Sequence, residues 1–121
     1  MVTGIDLVEN ERMKKSIENE RFVQRVFGER EREELSKRNF PLQSMSAAFA
    51  AKEAFLKAIG TGLSGAPLNE IEVLHEKSGK PYLFLSGKAK EIAEQMHLTL
   101  DLSLTHTENY AAAVVVGTME V

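Results

Sequence analysis

The sequence predicts one α+β domain, residues 1–121, in which an antiparallel sheet packs on a long central helix. Apolar residues recur at helical spacing over residues 41–59, and the alanines between them allow close packing. Leucines alternate strictly with polar residues over residues 98–105, which is typical of a strand with one buried face. No internal repeat and no long Pro/Gly/Ser linker divides the chain, so these segments belong to one core.

The first half of the chain is predicted to run from a strand through helices to the central helix. Residues 2–8 are rich in β-formers and predict a short strand that carries Asp6 near its C-terminal end. The charged residues 9–38, with a break at Gly28, predict two short, half-exposed helices. The central helix should end at Gly60, which can adopt the left-handed conformation of a helix C′ residue.

The second half is predicted to contain two hairpins with a helix between them. Residues 71–74 and 82–85 flank a turn of sequence KSGKP, so they form the first hairpin. Ser86 can cap a helix that ends near His97. Residues 98–105 and 110–116 then form the second hairpin, which turns at residues 107–109.

Composition excludes several classes of function. Lys and Arg total 15 and Asp and Glu total 18, so the formal net charge is −3. Binders of nucleic acid as a class carry a broad positive surface, so we expect no nucleic-acid partner. The absence of cysteine rules out disulfides, a thiolate nucleophile and a cysteine-based zinc site, and it fits a reducing cytoplasm.

The apolar segments are too short for a membrane protein. The longest run, residues 110–116, falls far below the ~20 residues of a spanning helix, and no signal-peptide pattern opens the sequence. We therefore expect a cytoplasmic protein with no membrane partner. A chain of this length buries only roughly two-thirds of its unfolded surface, so a subunit interface would add stability.

Two acidic residues are the first candidates for chemistry. Glu53 and Lys57 are neighbours on one face of the central helix, beside its apolar stripe, and the simplest interpretation is a surface ion pair. Asp6 is a second acid on a rigid element. Together with Glu53 it could hold a magnesium ion with waters and phosphates. Alternatively, Asp6 caps the helical turn that follows it.

Further candidates carry positive charge or hydroxyl groups. His106 lies between two threonines at a hairpin tip, where the cluster binds a phosphate or forms an ordinary polar turn. The glycine-rich residues 60–67 lack the Lys and Ser/Thr of a P-loop and follow the negative end of a helix dipole. Arg12, Arg21 and Arg25 form a cationic ridge that either meets an acidic protein or is merely solvated among interleaved glutamates.

Three segments together resemble the holo-acyl-carrier-protein synthase family, the small bacterial phosphopantetheinyl transferases. They are residues 4–9 (GIDLVE) with Arg12, residues 49–62 (FAAKEAFLKAIGTG) and residues 103–107 (SLTHT). The resemblance runs in the right order from near residue 2 to about residue 117, with a Gly-Lys-Pro turn between the second and third segments.

This resemblance implies transfer of 4′-phosphopantetheine from coenzyme A to a serine of apo acyl carrier protein, with release of adenosine 3′,5′-bisphosphate. Asp6 and Glu53 would then be magnesium ligands and Lys57 would stabilise phosphate charge. Either Glu53 or a metal-bound water polarised by Asp6 could act as the base. The expected coenzyme A contacts are Lys57, Gly60, Thr61, Gly79, Lys80, Pro81, His106 and Thr107.

The resemblance also implies partners and one departure. Arg12, Arg21 and Arg25 would face the acidic recognition helix of the carrier protein, and the protein would be a homotrimer with coenzyme A clefts between subunits. Family members usually have a basic residue immediately before the FAAKEA motif, where this chain has Ala47 and Ala48. Lys52 or another cation would have to replace it. The alternative is a non-catalytic module of the same fold that binds coenzyme A or carrier protein.

Overall fold

A computed structural model describes residues 1–120. Short 3₁₀ turns at Gly62–Ser64 and Leu68–Glu70 follow the central helix. The regular elements are β1 (Val2–Glu9), α1 (Asn10–Ser16), α2 (Glu20–Val26), α3 (Glu29–Ser36), α4 (Leu42–Ala58), β2 (Ile71–His75), β3 (Pro81–Leu85), α5 (Gly87–Gln95), β4 (Leu98–His106) and β5 (Tyr110–Met119). None of the helices within residues 1–120 has the length and apolar character needed to cross a membrane.

The strands form two antiparallel sheets. One has the order β1-β5-β4 and the other pairs β2 with β3. In the larger sheet Asp6 lies opposite Ala113, which in turn lies opposite Leu104. The α+β class and both hairpins are confirmed, whereas the division into two sheets was not predicted, because periodicity specifies a strand's buried face but not which edges join.

The central helix α4 packs directly against β1, and a glycine makes this possible. A Cβ on Gly4 would lie 1.8 Å from the carbonyl oxygen of Ala54 and 2.8 Å from the backbone nitrogen of Ala58. Any larger residue would therefore push the strand away from the helix. The contact brings Asp6, two residues farther along β1, to the flank of α4.

Helix α4 ends as the sequence predicts. Gly60 has a φ of 79° and donates its N–H to the carbonyl of Lys57 at 3.1 Å. Thr61 donates to the carbonyl of Leu56 at 3.2 Å, which completes a Schellman motif. This termination places Lys57 in the last turn of the helix, close to β1.

Two local predictions need correction. The stretch before α4 contains three helices, not two, because the side chain of Asn19 accepts the N–H groups of Arg21 and Phe22 and starts a separate helix α2. Helix α5 begins directly after Ser86, but the Ser86 hydroxyl makes no capping bond. The carboxylate of Glu70 accepts the N–H of Lys88 at 2.7 Å instead, from the 3₁₀ turn before β2.

Candidate active site

An acidic cluster forms where β1 meets the last two turns of α4. The Lys57 ammonium donates to the Asp6 carboxylate at 3.0 Å and to the backbone carbonyl of Ile5 at 2.9 Å. The Asp6 side chain is only 12% exposed, whereas that of Lys57 is 53% exposed. Lys57 therefore pairs with Asp6 and not with Glu53, and the helix-surface ion pair considered from the spacing is wrong. Asp6 does not cap α1 either, because the N-cap residue there is Glu9.

Glu53 completes the cluster one turn before Lys57. Its carboxylate is half-buried, and burial raises its pKa above the ordinary value. The negative charge of Asp6 raises that pKa further, while Lys57 lowers it. Asp6 and Glu53 are thus close enough to feel each other's charge, and a cation between two carboxylates would relieve this repulsion.

Asp6 and Glu53 border a cavity of about 300 Å³ between β1, α1 and α4. Its polar wall contains Asp6, Glu53 and Arg12, and its apolar wall includes Phe22 and Phe49, whose ring centroids are 6.1 Å apart. We call it the acidic cavity. Arg21 and Arg25 lie elsewhere, along a groove of about 520 Å³ beside α2. The three arginines of the predicted ridge therefore lie on two helices and border two different depressions.

His106 borders another cavity, of about 690 Å³, on the other side of α4. Gly79 and the two alanines Ala47 and Ala48 line this larger cavity with it. Ser44 of its wall and Glu53 of the acidic cavity are nine residues apart, about two and a half helical turns, so they lie on opposite flanks of α4. Within one chain, two of the predicted coenzyme A contacts, Gly79 and His106, are thus separated from the predicted metal ligands by the helix.

The remaining predicted contacts lie at the surface. Lys80 bonds Asp101 of β4 at 2.9 Å, and this hydrogen bond holds the pKa of Asp101 below its ordinary value. Pro81 begins β3. Gly60 and Thr61 are exposed just beyond the C-terminus of α4, so their position at the negative end of the helix dipole is as predicted.

Sequence reasoning missed a second charged cluster, buried beneath α4. The Lys52 ammonium lies 2.6 Å from a Glu31 oxygen, and the two side chains are 0% and 1% exposed. Lys52 also donates to the carbonyls of Leu68 and Ile71. Lys52 therefore cannot reach a ligand in place of the basic residue missing at Ala47 and Ala48, and that suggestion is wrong.

The acid of this buried cluster is also fully bonded. Glu31 accepts the backbone N–H groups of Gly28 at 3.1 Å and Val73 at 2.9 Å, and its own N–H donates to Glu72 at 2.8 Å. Burial is the main influence on the pair, raising the pKa of Glu31 and lowering that of Lys52 against their mutual attraction. A lysine at an inward-facing position of α4 was the available signal, but nothing in the charged run around Glu31 singles out its partner.

Comparison with known proteins places the chain among one group of enzymes. Residues 3–115 match the 4′-phosphopantetheinyl transferase superfamily. A holo-[acyl-carrier-protein] synthase of Caldanaerobacter subterraneus subsp. tengcongensis is 41% identical over 116 residues, covering 94% of this chain and 91% of that protein. One of Treponema denticola is 44% identical over 115 residues, covering 93% and 94%.

Solved structures agree with these matches. The holo-[acyl-carrier-protein] synthase of Neisseria meningitidis has a TM-score of 0.89 at 30% identity, covering 98% of this chain and 99% of that one. A Chronobacterium ammoniagenes ACPS-CoA complex has a TM-score of 0.85 at 26% identity, covering 99% and 98%. The resemblance drawn from the three sequence segments is therefore confirmed.

Proposed function

The chain belongs to the 4′-phosphopantetheinyl transferase superfamily, and we propose that it transfers 4′-phosphopantetheine from coenzyme A to a serine hydroxyl of apo acyl carrier protein. A bond forms between the serine oxygen and the β-phosphorus, and the bond to adenosine 3′,5′-bisphosphate breaks. The proposal rests on the convergence of Asp6, Glu53 and Lys57 where β1 meets the last two turns of α4. A pyrophosphate needs such a group of charges, because its own negative charge repels an attacking alcohol.

Asp6 and Glu53 fit a magnesium ion. They are hard oxygen ligands, and the pKa of Glu53 is raised first by burial and then by the negative charge of Asp6, a repulsion that a cation would relieve. Within residues 1–120, three or more His, Cys, Asp or Glu side chains are nowhere placed together to hold a metal ion, so waters and phosphate oxygens would complete the coordination. When bound, Mg²⁺ would supply charge neutralisation at the pyrophosphate.

Lys57 and Glu53 have separate parts in the transfer. An ammonium has three N–H donors, and Lys57 uses two of them on Asp6 and Ile5, which leaves one for a phosphate oxygen of the leaving group. Glu53 fits the role of base because its carboxylate borders the acidic cavity, where the serine hydroxyl would meet the pyrophosphate. The proton then moves from the serine oxygen to a Glu53 oxygen as the new bond to phosphorus forms.

The other assigned residues bind the two substrates in this proposal. His106, Thr107, Gly79, Lys80 and Pro81 bind coenzyme A, in and beside the larger cavity. Arg12, Arg21 and Arg25 are exposed and would attract the acidic carrier protein. Reversal of charge at Arg25 should therefore raise KM for the carrier in a salt-sensitive way, while KM for coenzyme A stays the same.

A second copy of the chain would complete the site. The metal ligands and His106 border cavities on opposite flanks of α4, so one chain does not present them together. The outer face of the larger sheet exposes Ile5 and Leu7 at 68% and 64%, beside the valines Val114 and Val116 of β5. We assign this apolar face to the interface of a homotrimer, in which Glu53 of one subunit and His106 of its neighbour serve the same site.

Subunit mixing tests the shared site. Glu53→Gln and His106→Ala should each be poorly active alone, and the whole population of trimers made by co-expression should recover about one quarter of wild-type activity, the frequency of intact sites after random assembly. No recovery in mixed trimers would place both residues in a site within one subunit.

The mass of the product tests the transfer itself. Apo acyl carrier protein, incubated with this protein, coenzyme A and magnesium, should gain one phosphopantetheine group, as intact-mass spectrometry would show. A chelator should abolish the gain, and adenosine 3′,5′-bisphosphate should accumulate in equal amount. An unchanged carrier mass under these conditions would contradict the proposal.

Ala47 and Ala48 support a second candidate, a non-catalytic binding module. Both alanines line the larger cavity. Members of the family that the sequence resembles usually carry a basic residue at this position, whereas this chain offers no charge there. Such a module would bind coenzyme A, as titration calorimetry would detect, without changing the mass of any carrier. An Ala48→Arg variant that gains transfer would then identify the missing cation as the cause.

A further inference from the structure

Asn10, the first residue of α1, anchors the turn that joins β4 and β5. Its backbone N–H donates to the carbonyl of Asn109 at 2.8 Å, and its side-chain Nδ2 donates to the carbonyl of Glu108 at 3.0 Å. These two carbonyls belong to the two central residues of the turn. One residue, 98 positions away in sequence, therefore binds both of them.

The turn needs this external support. Two-residue hairpin turns match the twist of their strands best when central residues have positive φ. Within residues 1–120, positive φ at non-glycine residues occurs only at Asn39, Phe40 and His97, so the turn at Glu108 and Asn109 lacks the favoured geometry.

The bonds inside the turn do not reach its central carbonyls. Thr107 donates its N–H to the carbonyl of Tyr110 at 2.7 Å, and the N–H of Tyr110 donates to the Thr107 hydroxyl at 3.1 Å. The carbonyls of Glu108 and Asn109 are bonded by Asn10. The position of the tip relative to the rest of the molecule thus depends on that residue.

The Asn10 side chain lowers the stability of the fold. It is 5% exposed, and its Oδ1 is buried with no hydrogen-bond partner among the described residues. A buried acceptor without a partner lowers stability, so leucine, which is similar in size, would suit the packing better. The loss of stability that this side chain causes fits a residue whose role is to fix the geometry of the tip.

We propose that Asn10 is a positioning residue for coenzyme A binding, acting through the turn that follows His106 and Thr107. This inference rests on the proposed function, in which those two residues contact coenzyme A. Asn10 also begins α1, which carries Arg12 at the acidic cavity. Its amide therefore holds the tip, which would serve the site shared with a neighbouring subunit, in a fixed relation to α1 of its own subunit.

Steady-state kinetics of Asn10→Leu and Asn10→Asp test this role. Leu fills the space without a donor, and Asp keeps the size but directs an acceptor at the Glu108 carbonyl. Both should raise KM for coenzyme A about 5- to 10-fold, the loss expected for one hydrogen bond. The kcat and KM for the carrier should stay within about twofold, and the thermal midpoint of Asn10→Leu should equal or exceed that of wild type.

Thr99→Val is the matched control. Thr99 lies at the opposite end of β4, where its hydroxyl donates to Glu120 at 3.0 Å, so the variant also removes one long-range side-chain bond from the same hairpin. Its KM for coenzyme A should equal that of wild type. A KM for Asn10→Leu equal to wild type would overturn the proposal, as would a parallel decline of all kinetic constants with the thermal midpoint, which indicates a merely structural role.

Wild-type protein separates this inference from the proposed function. If wild type transfers and Asn10→Leu matches it, only the role of Asn10 fails. If wild type binds coenzyme A without transferring, the proposed function fails, and the dissociation constants of the variants for coenzyme A take the place of KM in the same comparison. Wild type that neither transfers nor binds overturns both.

Discussion

Lys52 and Glu53 are neighbours on helix α4, yet one belongs to a buried charged cluster and the other to a charged cluster open to solvent. Lys52 and its partner Glu31 are almost fully buried, and every donor and acceptor that they present is bonded to protein. Glu53 belongs to the acidic cavity, beside which Lys57, the partner of Asp6, is half-exposed and keeps one donor for a ligand. The same residue types thus stabilise the fold on one side of the helix and form the proposed active site on the other.

The two clusters differ most in whether their charged groups have all of their hydrogen-bond partners within the protein. A buried pair that loses one member leaves an uncompensated charge in the core. A pair near the surface loses little, because water replaces the missing partner. Stability measurements should therefore respond to the buried cluster, and activity measurements to the acidic cavity.

The largest expected effect is on stability. Lys52→Met keeps the length of the side chain but leaves the Glu31 carboxylate buried without its cation, so the free energy of unfolding should decrease by about 3–5 kcal/mol. Urea unfolding followed by circular dichroism measures it. The matched control is Lys57→Met, the same change on the same helix, which should cost about 1 kcal/mol or less. Equal losses in the two variants would remove the distinction between the clusters.

Substitutions at the acidic cavity should reduce activity strongly while changing stability little. Glu53→Gln removes one of the two carboxylates proposed to hold magnesium, so kcat/KM should decline at least about 100-fold, or about 2.7 kcal/mol. Asp6→Asn should behave alike. Both variants should unfold at wild-type urea concentrations and keep the wild-type oligomeric state by light scattering. Transfer at the wild-type rate in either variant would refute the metal assignment.

Local periodicity explains how far sequence reasoning reached for the fold. The spacing of apolar residues predicted α4 to within one residue at each end, and the alternating leucines predicted β4, because both patterns are set by near neighbours in the chain. The residues that cap the helices were harder to predict from sequence. Glu70 caps α5 from a turn 18 residues earlier, and no local pattern reveals such a contact.

The same limit applies to the site. Glu53 and Lys57 could be placed on one helix face, since their spacing is local, but the actual partner of Lys57 is Asp6, 51 residues away. The Glu31–Lys52 pair is likewise non-local. Three ordered motifs could identify the family, but only the fold could show that α4 separates His106 from Glu53.

The smallest expected effect concerns pH, and it sharpens the difference between the clusters. Folding raises the pKa of Glu53 above its ordinary value of 4.5, mainly by burial and then by the charge of Asp6. Between 4.5 and the raised pKa the folded protein binds more protons than the unfolded chain, so without metal its stability should decrease as pH increases through that window and then level off. Because Glu53 is only half-buried, water screens the effect and its size should be modest. Urea unfolding from pH 4 to 7.5 in chelator should show wild type losing stability relative to Glu53→Gln across this range, and a weaker loss in Asp6→Asn. A wild-type advantage that grows with pH would mean that Glu53 is stabilised as a carboxylate, as in a structural ion pair, and would place it with the buried cluster.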